Sequence, residues 1–366
     1  MYSFNIYLGY STANLSTFIL TMKRKIAKLP LGGLEVLIFI LLIGCQQKRE
    51  VGISFYFWKT VYQSNAVEES YLHHFKSKKL FVRILDVDRD LNGGISPVAP
   101  IKFKDQIPAN VEMVPVVFIV NEVLREINDD QLKKLAANIV QFVNGKVKQA
   151  GKSSFAELQI DCDWTATTRL NYFSLLEEIK KLLGDKVISS TLRLHQLKNQ
   201  EKSGIPPVDK VLLMCYNMGN LRKYGTQNSI LDVKELEKYA NENLAYYPMP
   251  IDVALPLFSW SVVFRKQNYA GISKRLKFAD LQVPTDFSKA NNGLYVAKKD
   301  LPEFGLYKND EIRFEASKFE DIKQSAVYLN RYLVRKPLTL LFYHLDEPTL
   351  KNFNTHELEE ITHILR

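Results

Sequence analysis

"LQIDCDWT", residues Leu158 to Thr165, is a short apolar run that ends in two aspartates separated by a single residue. Side chains alternate between the two faces of a strand, so Asp161 and Asp163 are expected on one face and Cys162 on the other. Two carboxylates on one face repel each other, which raises the pKa of one of them. This pattern predicts a strand that delivers two acidic groups to a functional site.

Strand-like and helix-like patterns alternate on both sides of this run. Together with it, eight strand-like runs follow one another: VGISFYFWKT, KKLFVRILDVDRD, EMVPVVFIVNEV, FAELQIDCDWT, KVISSTLRLHQL, DKVLLMCYNMG, PIDVALPLFSWSVVFR and LTLLFYHLDE. Alternation of this kind predicts parallel strands joined by helices, and eight is the strand number of a (β/α)8 TIM barrel, an α/β fold. An open doubly wound sheet is the alternative, and the lack of a Gly-rich turn after the first run disfavours it.

One segment breaks the alternation after the seventh strand-like run. Residues 267–317 are rich in turns and short β-like runs, as in "NNGLYVAKKDLPEFGLYKNDEIRFE". We interpret this segment as an irregular β-rich insertion, or lid, within a single barrel domain that spans residues 45–366.

The residues before the first strand resemble an export signal. A basic stretch begins at Met22, an apolar run extends from Val36 to Ile43, and Leu-Ile-Gly-Cys ends at Cys45. This arrangement resembles the lipobox of bacterial lipoproteins, which implies a signal region over 1–44 that starts at Met22 and a lipid on Cys45. An uncleaved membrane anchor is the alternative. Either way, we expect export and attachment to a bacterial membrane, on the periplasmic face of an outer membrane or at the cell surface.

Composition narrows the classes of partner. The 366 residues are 46% hydrophobic and carry a formal charge of +9, but basic and acidic residues are interleaved and no long basic block occurs. Nucleic-acid binding is therefore not expected. The chain has no HExxH motif and no CxxC pair, so no metal and no cofactor are expected. Cys162 and Cys215 are expected as buried free thiols, and the protein is expected to be a monomer.

Carboxylate and aromatic residues gather at the ends of the strand-like runs, where a barrel of this kind has its site. Aromatic rings stack on sugar rings, and paired carboxylates supply the acid and base of glycosidic cleavage. These residues predict a site that binds carbohydrate. Its expected catalytic residues are Asp161, Asp163, Glu122 and Asp88, and its expected substrate-binding residues are Trp58, Asp86, Tyr216, Asn217, Trp260 and Asp346.

Two of the runs resemble glycoside hydrolase family 18, the chitinase family. The segment from Ile160 to Trp164 is similar to the end of its Asp-x-x-Asp-x-Asp-x-Glu signature on strand four, and Met214 and Tyr216 match its Met-x-Tyr-Asp stretch on strand six. The resemblance implies a TIM barrel in which the residues matching Asp163 and Tyr216 hold the acetamido group of the substrate. The rest of the chain resembles chitinase-like bacterial lipoproteins.

Three positions depart from the family pattern. Leu158 stands where the signature has its first Asp, Thr165 where it has the catalytic Glu, and Asn217 where strand six has an Asp. A threonine hydroxyl cannot act as the general acid near neutral pH. Either another carboxylate donates the proton, with Glu122, Asp88 and Asp346 as candidates, or the protein binds glycans without cleaving them.

The sequence therefore leaves three hypotheses about the function open. The first is an envelope lipoprotein that hydrolyses a glycosidic bond, and the second is a glycan-binding or envelope-assembly lipoprotein with a degenerate site. A barrel with unrelated chemistry is the third, since this fold supports many reactions. In a purely structural role, Asp161 and Asp163 would pair with an arginine such as Arg193.

Overall fold

A computed structural model of the protein describes residues 48–366. The strands of this part of the chain form a closed barrel. Eight parallel strands and one antiparallel edge strand form a nine-stranded sheet. Its first strand pairs with both the last and the second parallel strand, which closes the ring. The barrel strands, numbered β1 to β8, are Val51–Phe57, Lys79–Arg89, Glu112–Ile119, Glu157–Asp161, Val187–Arg193, Lys210–Met214, Ile251–Pro256 and Leu338–Tyr343. The expected (β/α)8 barrel is confirmed. The predicted signal region over 1–44 and the predicted lipidation of Cys45 lie outside the described residues.

Helices follow the strands and cover the outside of the barrel. Helices α1 to α10 are Ala66–His74, Asp129–Gln149, Arg169–Leu183, Leu194–Lys198, Gln200–Ser203, Val233–Tyr239, Asn241–Ala245, Phe319–Tyr332, Glu347–Leu350 and Thr355–Leu365. Helix α2 shows why these segments are helical. Asn128 and Gln131 form a capping box at its start, and Leu132, Leu135 and Ile139 are buried on one face. Burying each such side chain stabilises the fold by roughly 1.5–3 kcal/mol. In the part of the chain that is described, no helix is both long and apolar enough to cross a membrane.

Alternation along strand β4 decides which of its side chains enter the barrel. Glu157 and Asp161 face inward, where they accept hydrogen bonds from side chains of other barrel strands. Ile160 and Cys162 face outward into the apolar layer between strands and helices. Cys215 also lies in that layer, and both cysteines are buried free thiols, as expected.

A layer of paired charges fills the barrel interior at the amino ends of the strands. Glu157 accepts hydrogen bonds from Lys79 at 2.9 Å and from Ser189 at 2.8 Å, and Lys210 lies 3.0 Å from the Glu157 carboxylate. Lys210 also pairs with Asp252 at 2.8 Å. Burial would raise the pKa of Glu157, but the ammonium groups of Lys210 and Lys79 outweigh it and lower that pKa. We name Glu157, Lys79, Lys210, Asp252 and Ser189 the basal layer.

The seventh strand-like run is not a single strand. The structure divides it into β7, which ends at Pro256, and a second strand, Ser259–Arg265, which leaves the barrel. That strand joins a separate antiparallel sheet with Asn268–Ser273, Phe287–Lys289, Tyr295–Ala297 and Glu311–Ala316. The sequence pattern missed the division because both pieces are apolar, and only pairing with different sheets separates them. We name residues 259–316 the inserted sheet.

Candidate functional site

A cavity of about 530 Å³ opens at the carboxyl ends of the barrel strands. Its walls come from several barrel strands, from the loops that follow them and from the inserted sheet. Eight of the ten expected catalytic and substrate-binding residues line it: Trp58, Asp86, Asp161, Asp163, Tyr216, Asn217, Trp260 and Asp346. Glu122 and Asp88 are not among the lining residues. The cavity therefore brings together side chains that lie almost 290 positions apart in the sequence.

Asp161 lies on the floor of the cavity. Its carboxylate accepts a hydrogen bond from the Thr191 hydroxyl on strand β5 at 2.6 Å, and its residue is only 6% exposed. Burial raises the pKa of Asp161 to about 7, and the negative charge of Asp163 adds to the rise. The Thr191 hydrogen bond and the Arg193 charge act in the opposite direction without cancelling it. A carboxyl group with this pKa is protonated in roughly half of the molecules at pH 7 and in most of them at lower pH.

Asp163 lies two residues further along, at the edge of the cavity. Its side chain is half-exposed, and one carboxylate oxygen is 3.6 Å from Nε of Arg193. Arg193 ends strand β5 and also donates a hydrogen bond to the backbone carbonyl of Asn217 at 3.1 Å. Asp163 is thus partly neutralised, yet it keeps a face open to the cavity.

Asp86 and Asp88 alternate on strand β2, but only Asp86 lines the cavity. The pairing of β2 with β3 shifts register between Arg83 and Leu85, and this irregularity sets Arg83 and Asp86 side by side. They form a partly buried ion pair in which Nε of Arg83 donates to Asp86 at 2.7 Å. Asp88 instead accepts a hydrogen bond from the backbone N–H of Arg89 at 2.7 Å. Asp88 lies one residue beyond Val87, the last residue of β2 that pairs with β3, and there β2 pairs with the edge strand Ile95–Val98. The sequence pattern treats both aspartates alike because it does not show where the pairing with β3 ends.

Glu122 lies away from the cavity, in a short 3-10 helix after strand β3. Its side chain is more than half exposed and pairs with Arg125 at 3.0 Å. A carboxylate in this position is solvated, and its surface ion pair contributes little to stability.

Thr165 occupies the position that corresponds to the catalytic Glu of the family signature. It is exposed and does not line the cavity. Its hydroxyl shares a hydrogen bond with the Thr167 hydroxyl at 2.9 Å, and its backbone N–H donates to the Thr168 hydroxyl at 3.0 Å. Thr165 therefore belongs to a local turn that precedes helix α3.

Aromatic rings form a continuous wall on the other side of the cavity. Trp58 contacts Tyr343 with ring centroids 5.7 Å apart, and Tyr343 contacts Tyr216 at 5.1 Å. Phe258 contacts both Tyr343, at 5.5 Å, and Trp260, at 5.1 Å. Four separate strand ends supply these rings, and such a surface suits a ligand with flat apolar faces, such as a sugar ring.

The indole of Trp260 is held from behind by the inserted sheet. Its Nε1 donates a hydrogen bond to the buried carboxylate of Glu315 at 2.9 Å. The same carboxylate accepts hydrogen bonds from the Ser229 backbone at 2.8 Å and from Arg313 at 2.6 Å. Arg313 in turn donates to backbone carbonyls of the loop after strand β6, including Leu221 at 3.0 Å. The inserted sheet thereby fixes two walls of the cavity.

Two buried polar atoms at the cavity lack a hydrogen-bond partner within residues 48–366. They are Oδ1 of Asn217 and Nδ1 of His344. Burial lowers the pKa of His344 to about 4, so the ring is neutral near pH 7. A buried polar atom without a partner destabilises the protein, and a bound ligand can supply the missing bond.

Sequence reasoning missed Lys274 and Lys277, which line the cavity from the segment that follows strand Asn268–Ser273. No signal in the sequence marks them, because they come from the insertion and not from a barrel strand end. Tyr343, His344 and Phe258 were recognisable as residues at or beside strand ends, but nothing in their spacing singled them out.

The other features of the described chain point less clearly to a site. A larger cavity, of about 650 Å³, lies between helix α2 and the strand Ile95–Val98, and no carboxylate lines it. Within residues 48–366, no three His, Cys, Asp or Glu side chains are grouped so that they could hold a metal ion. The cavity at the strand ends is therefore the candidate site.

Two solved structures resemble this chain in fold. A chitinase from Chromobacterium violaceum matches with a TM-score of 0.50 and 12% identity, over 86% of this chain and 98% of that one. The spore cortex-lytic enzyme SleL of Bacillus cereus matches with a TM-score of 0.50 and 15% identity, over 87% of this chain and 76% of that one. At these identities the matches establish a shared fold. No protein-family model matches the sequence, and no curated protein matches it either.

Proposed function

We propose that the protein binds a glycan in the cavity at the strand ends and does not cleave it. One observation carries this proposal: the cavity has the aromatic wall and the aspartates of a sugar site, whereas the position of the family's proton donor holds Thr165. That side chain is exposed and lies outside the cavity. Of the three alternative donors, Glu122 and Asp88 lie outside it as well, and Asp346 lines it but lies 3.4 Å from the ammonium group of Lys59, which favours its charged form.

Each group of the cavity has a distinct part in binding. Sugar rings stack on Trp58 and Trp260, where they replace water on apolar faces. Asp163 and Tyr216 hold the polar substituents of the ligand, as the resemblance to family 18 implies. Oδ1 of Asn217 accepts a hydrogen bond from the ligand and thereby gains the partner that it lacks.

The fold matches support the choice of ligand class. One of the two matching structures is a chitinase and the other is a spore cortex-lytic enzyme. We therefore choose oligosaccharides that contain N-acetylglucosamine as the first ligands to test.

The test measures binding and cleavage on the same samples. The full chain is titrated with chitotetraose by calorimetry, and the mixture is then analysed for shorter products by chromatography. We expect saturable binding with no product. The Trp260→Ala variant is the control for binding at this cavity. Absence of binding to any glycan would contradict the proposal, and catalytic release of products would replace it with the hydrolase described next.

A second candidate function, glycoside hydrolysis, is favoured by the pKa of Asp161. Burial raises that pKa to about 7, the range in which a carboxyl group donates a proton at neutral pH. The reaction would then use Asp161 as the acid and Asp163 as the group that stabilises the reacting centre. Loss of product formation in both Asp161→Asn and Asp163→Asn, with binding retained in Asp161→Asn, would establish it.

We also propose that the chain is an exported lipoprotein. The lipobox-like Leu-Ile-Gly-Cys sequence that ends at Cys45 supports this proposal. In a bacterial host, the full chain should incorporate labelled palmitate and the Cys45→Ser variant should not. Equal labelling of the two would contradict it.

A further inference from the structure

Lys274 and Lys277 place two positive charges on one wall of the cavity. Both residues are exposed and line the cavity. Among residues 48–366, neither ammonium group lies within ion-pair distance of a carboxylate. Nζ of Lys277 donates a hydrogen bond to the backbone carbonyl of Lys274 at 3.1 Å, which keeps the two residues together.

The negative charges around the cavity, in contrast, already have cationic partners. Asp86 pairs with Arg83, which does not itself line the cavity. Asp163 lies 3.6 Å from Arg193. Asp346 lies 3.4 Å from Lys59, which also pairs with Glu68 at 2.5 Å, so the charge of Asp346 is only partly offset. Asp86 and Asp163 therefore do little to offset the two lysines, and Asp346 offsets them in part.

The floor of the cavity adds little charge of its own below neutral pH. Asp161 holds its proton below about pH 7, because burial and the Asp163 charge raise its pKa to about that value. His344 is neutral there, because burial lowers its pKa to about 4. An anion in this cavity would thus meet two unpaired ammonium groups and no unpaired carboxylate on the floor.

We propose that the bound glycan carries a negatively charged substituent, a carboxylate or a sulfate, which the ammonium groups of Lys274 and Lys277 bind. This inference rests on the proposed function and names the class of glycan. The aromatic wall binds the sugar rings, and the lysine wall selects among glycans by charge. A charge-assisted contact of this kind is stronger than one between neutral groups.

The experiment compares β-1,4-linked saccharides of equal length that differ in charge. Chitotetraose is neutral. The peptide-free tetrasaccharide of alternating N-acetylglucosamine and N-acetylmuramic acid differs from it by lactyl carboxylates, and 6-O-sulfated chitotetraose carries sulfates instead. We expect at least one acidic saccharide to bind at least about fivefold more tightly than chitotetraose. That preference should weaken as salt is added. The acidic saccharide that binds more tightly identifies the substituent.

Variants attribute the preference to the two lysines. Lys274→Gln with Lys277→Gln should remove the preference, so that acidic saccharides and chitotetraose bind this variant with similar affinities. The matched control neutralises Lys266 and Lys308, two exposed lysines associated with the inserted sheet that do not line the cavity. This control should keep the preference, and all variants should unfold at the temperature of the wild type.

Two results would overturn the inference. If neutral and acidic saccharides bind equally, or if the control pair removes the preference as fully as the cavity pair, the lysines do not select the ligand, and the proposed glycan binding still stands. If no saccharide binds at all, the inference and the proposed function fail together.

Discussion

Strand β4 carries Glu157 at one end of the barrel interior and Asp161 at the other, and the two carboxylates lie in different electrostatic environments. Glu157 meets two ammonium groups and a hydroxyl in the basal layer. Asp161 receives one hydrogen bond, from Thr191, and faces the Asp163 charge. The pKa of Glu157 is accordingly lowered, and that of Asp161 is raised.

This difference in pKa distinguishes the two ends of the strand: the amino end contributes to stability, and the carboxyl end contributes to binding. The basal layer has its charges matched, so it holds the strands in register without the capacity to bind anything further. At the carboxyl ends of the strands, in contrast, Asn217 and His344 each have a buried polar atom without a hydrogen-bond partner among residues 48–366. Asp161, with a pKa of about 7, gains or loses its proton near neutral pH. Incomplete pairing of this sort is common at functional sites.

The largest expected effect comes from breaking the basal layer. In Glu157→Gln the ammonium groups of Lys79 and Lys210 lose their shared carboxylate, and the free energy of unfolding should fall by roughly 3–5 kcal/mol. Urea denaturation at pH 7 measures it. A loss below about 1 kcal/mol would show that the ion pairs of the basal layer contribute no more to stability than ion pairs on the protein surface.

The next effect concerns Asp161 and depends on pH. The pKa of Asp161 is about 7 in the folded protein and lower, at its ordinary value, in the unfolded chain. Between these two pH values the folded state binds more protons than the unfolded state. The free energy of unfolding therefore falls as pH rises through that interval. Asp161→Asn carries no charge, so at pH 8 it should be more stable than the wild type by roughly 2–4 kcal/mol. Near pH 4 the two should be similar. Thermal unfolding across this range measures it, and equal stability of the two proteins at pH 8 would contradict the raised pKa.

Trp260 tests the aromatic wall. Trp260→Ala should weaken glycan binding about tenfold, because the stacking surface is lost. Trp260→Phe keeps a ring but loses the hydrogen bond to Glu315, and we expect only about a threefold loss. Calorimetric titration measures both affinities. The control, Tyr246→Ala, removes an exposed ring that does not line the cavity and should change nothing. Equal affinities for Trp260→Ala and wild type would place the ligand elsewhere.

Asp163→Asn should give the smallest change in stability and completes the comparison with Glu157. The half-exposed pair with Arg193 at 3.6 Å is worth less than about 1 kcal/mol. We therefore expect nearly unchanged unfolding in urea but weaker glycan binding. A stability loss as large as that of Glu157→Gln would mean that Asp163 is a structural residue.

The sequence made most of the site predictable because strand ends are visible in it. Apolar runs of strand length mark where each barrel strand stops, and parallel strands in a closed ring place those stops at one rim. Eight residues chosen on this basis line one cavity. Glu122 and Asp88 satisfy the same rule and lie outside it. Glu122 belongs to a short 3-10 helix, and Asp88 lies beyond the last residue of β2 that pairs with β3.

The sequence by itself determined the alternation of strands and helices, because hydrophobic periodicity is a local property. The barrel, and the rim at which Asp161 and Asp163 lie, follow from that alternation. Only the tertiary structure decided which carboxylates are paired, and therefore which are charged. It also decided that Trp260 and Lys274 reach the cavity from the inserted sheet. Those outcomes depend on distances between residues far apart in the chain, and no local pattern encodes such distances.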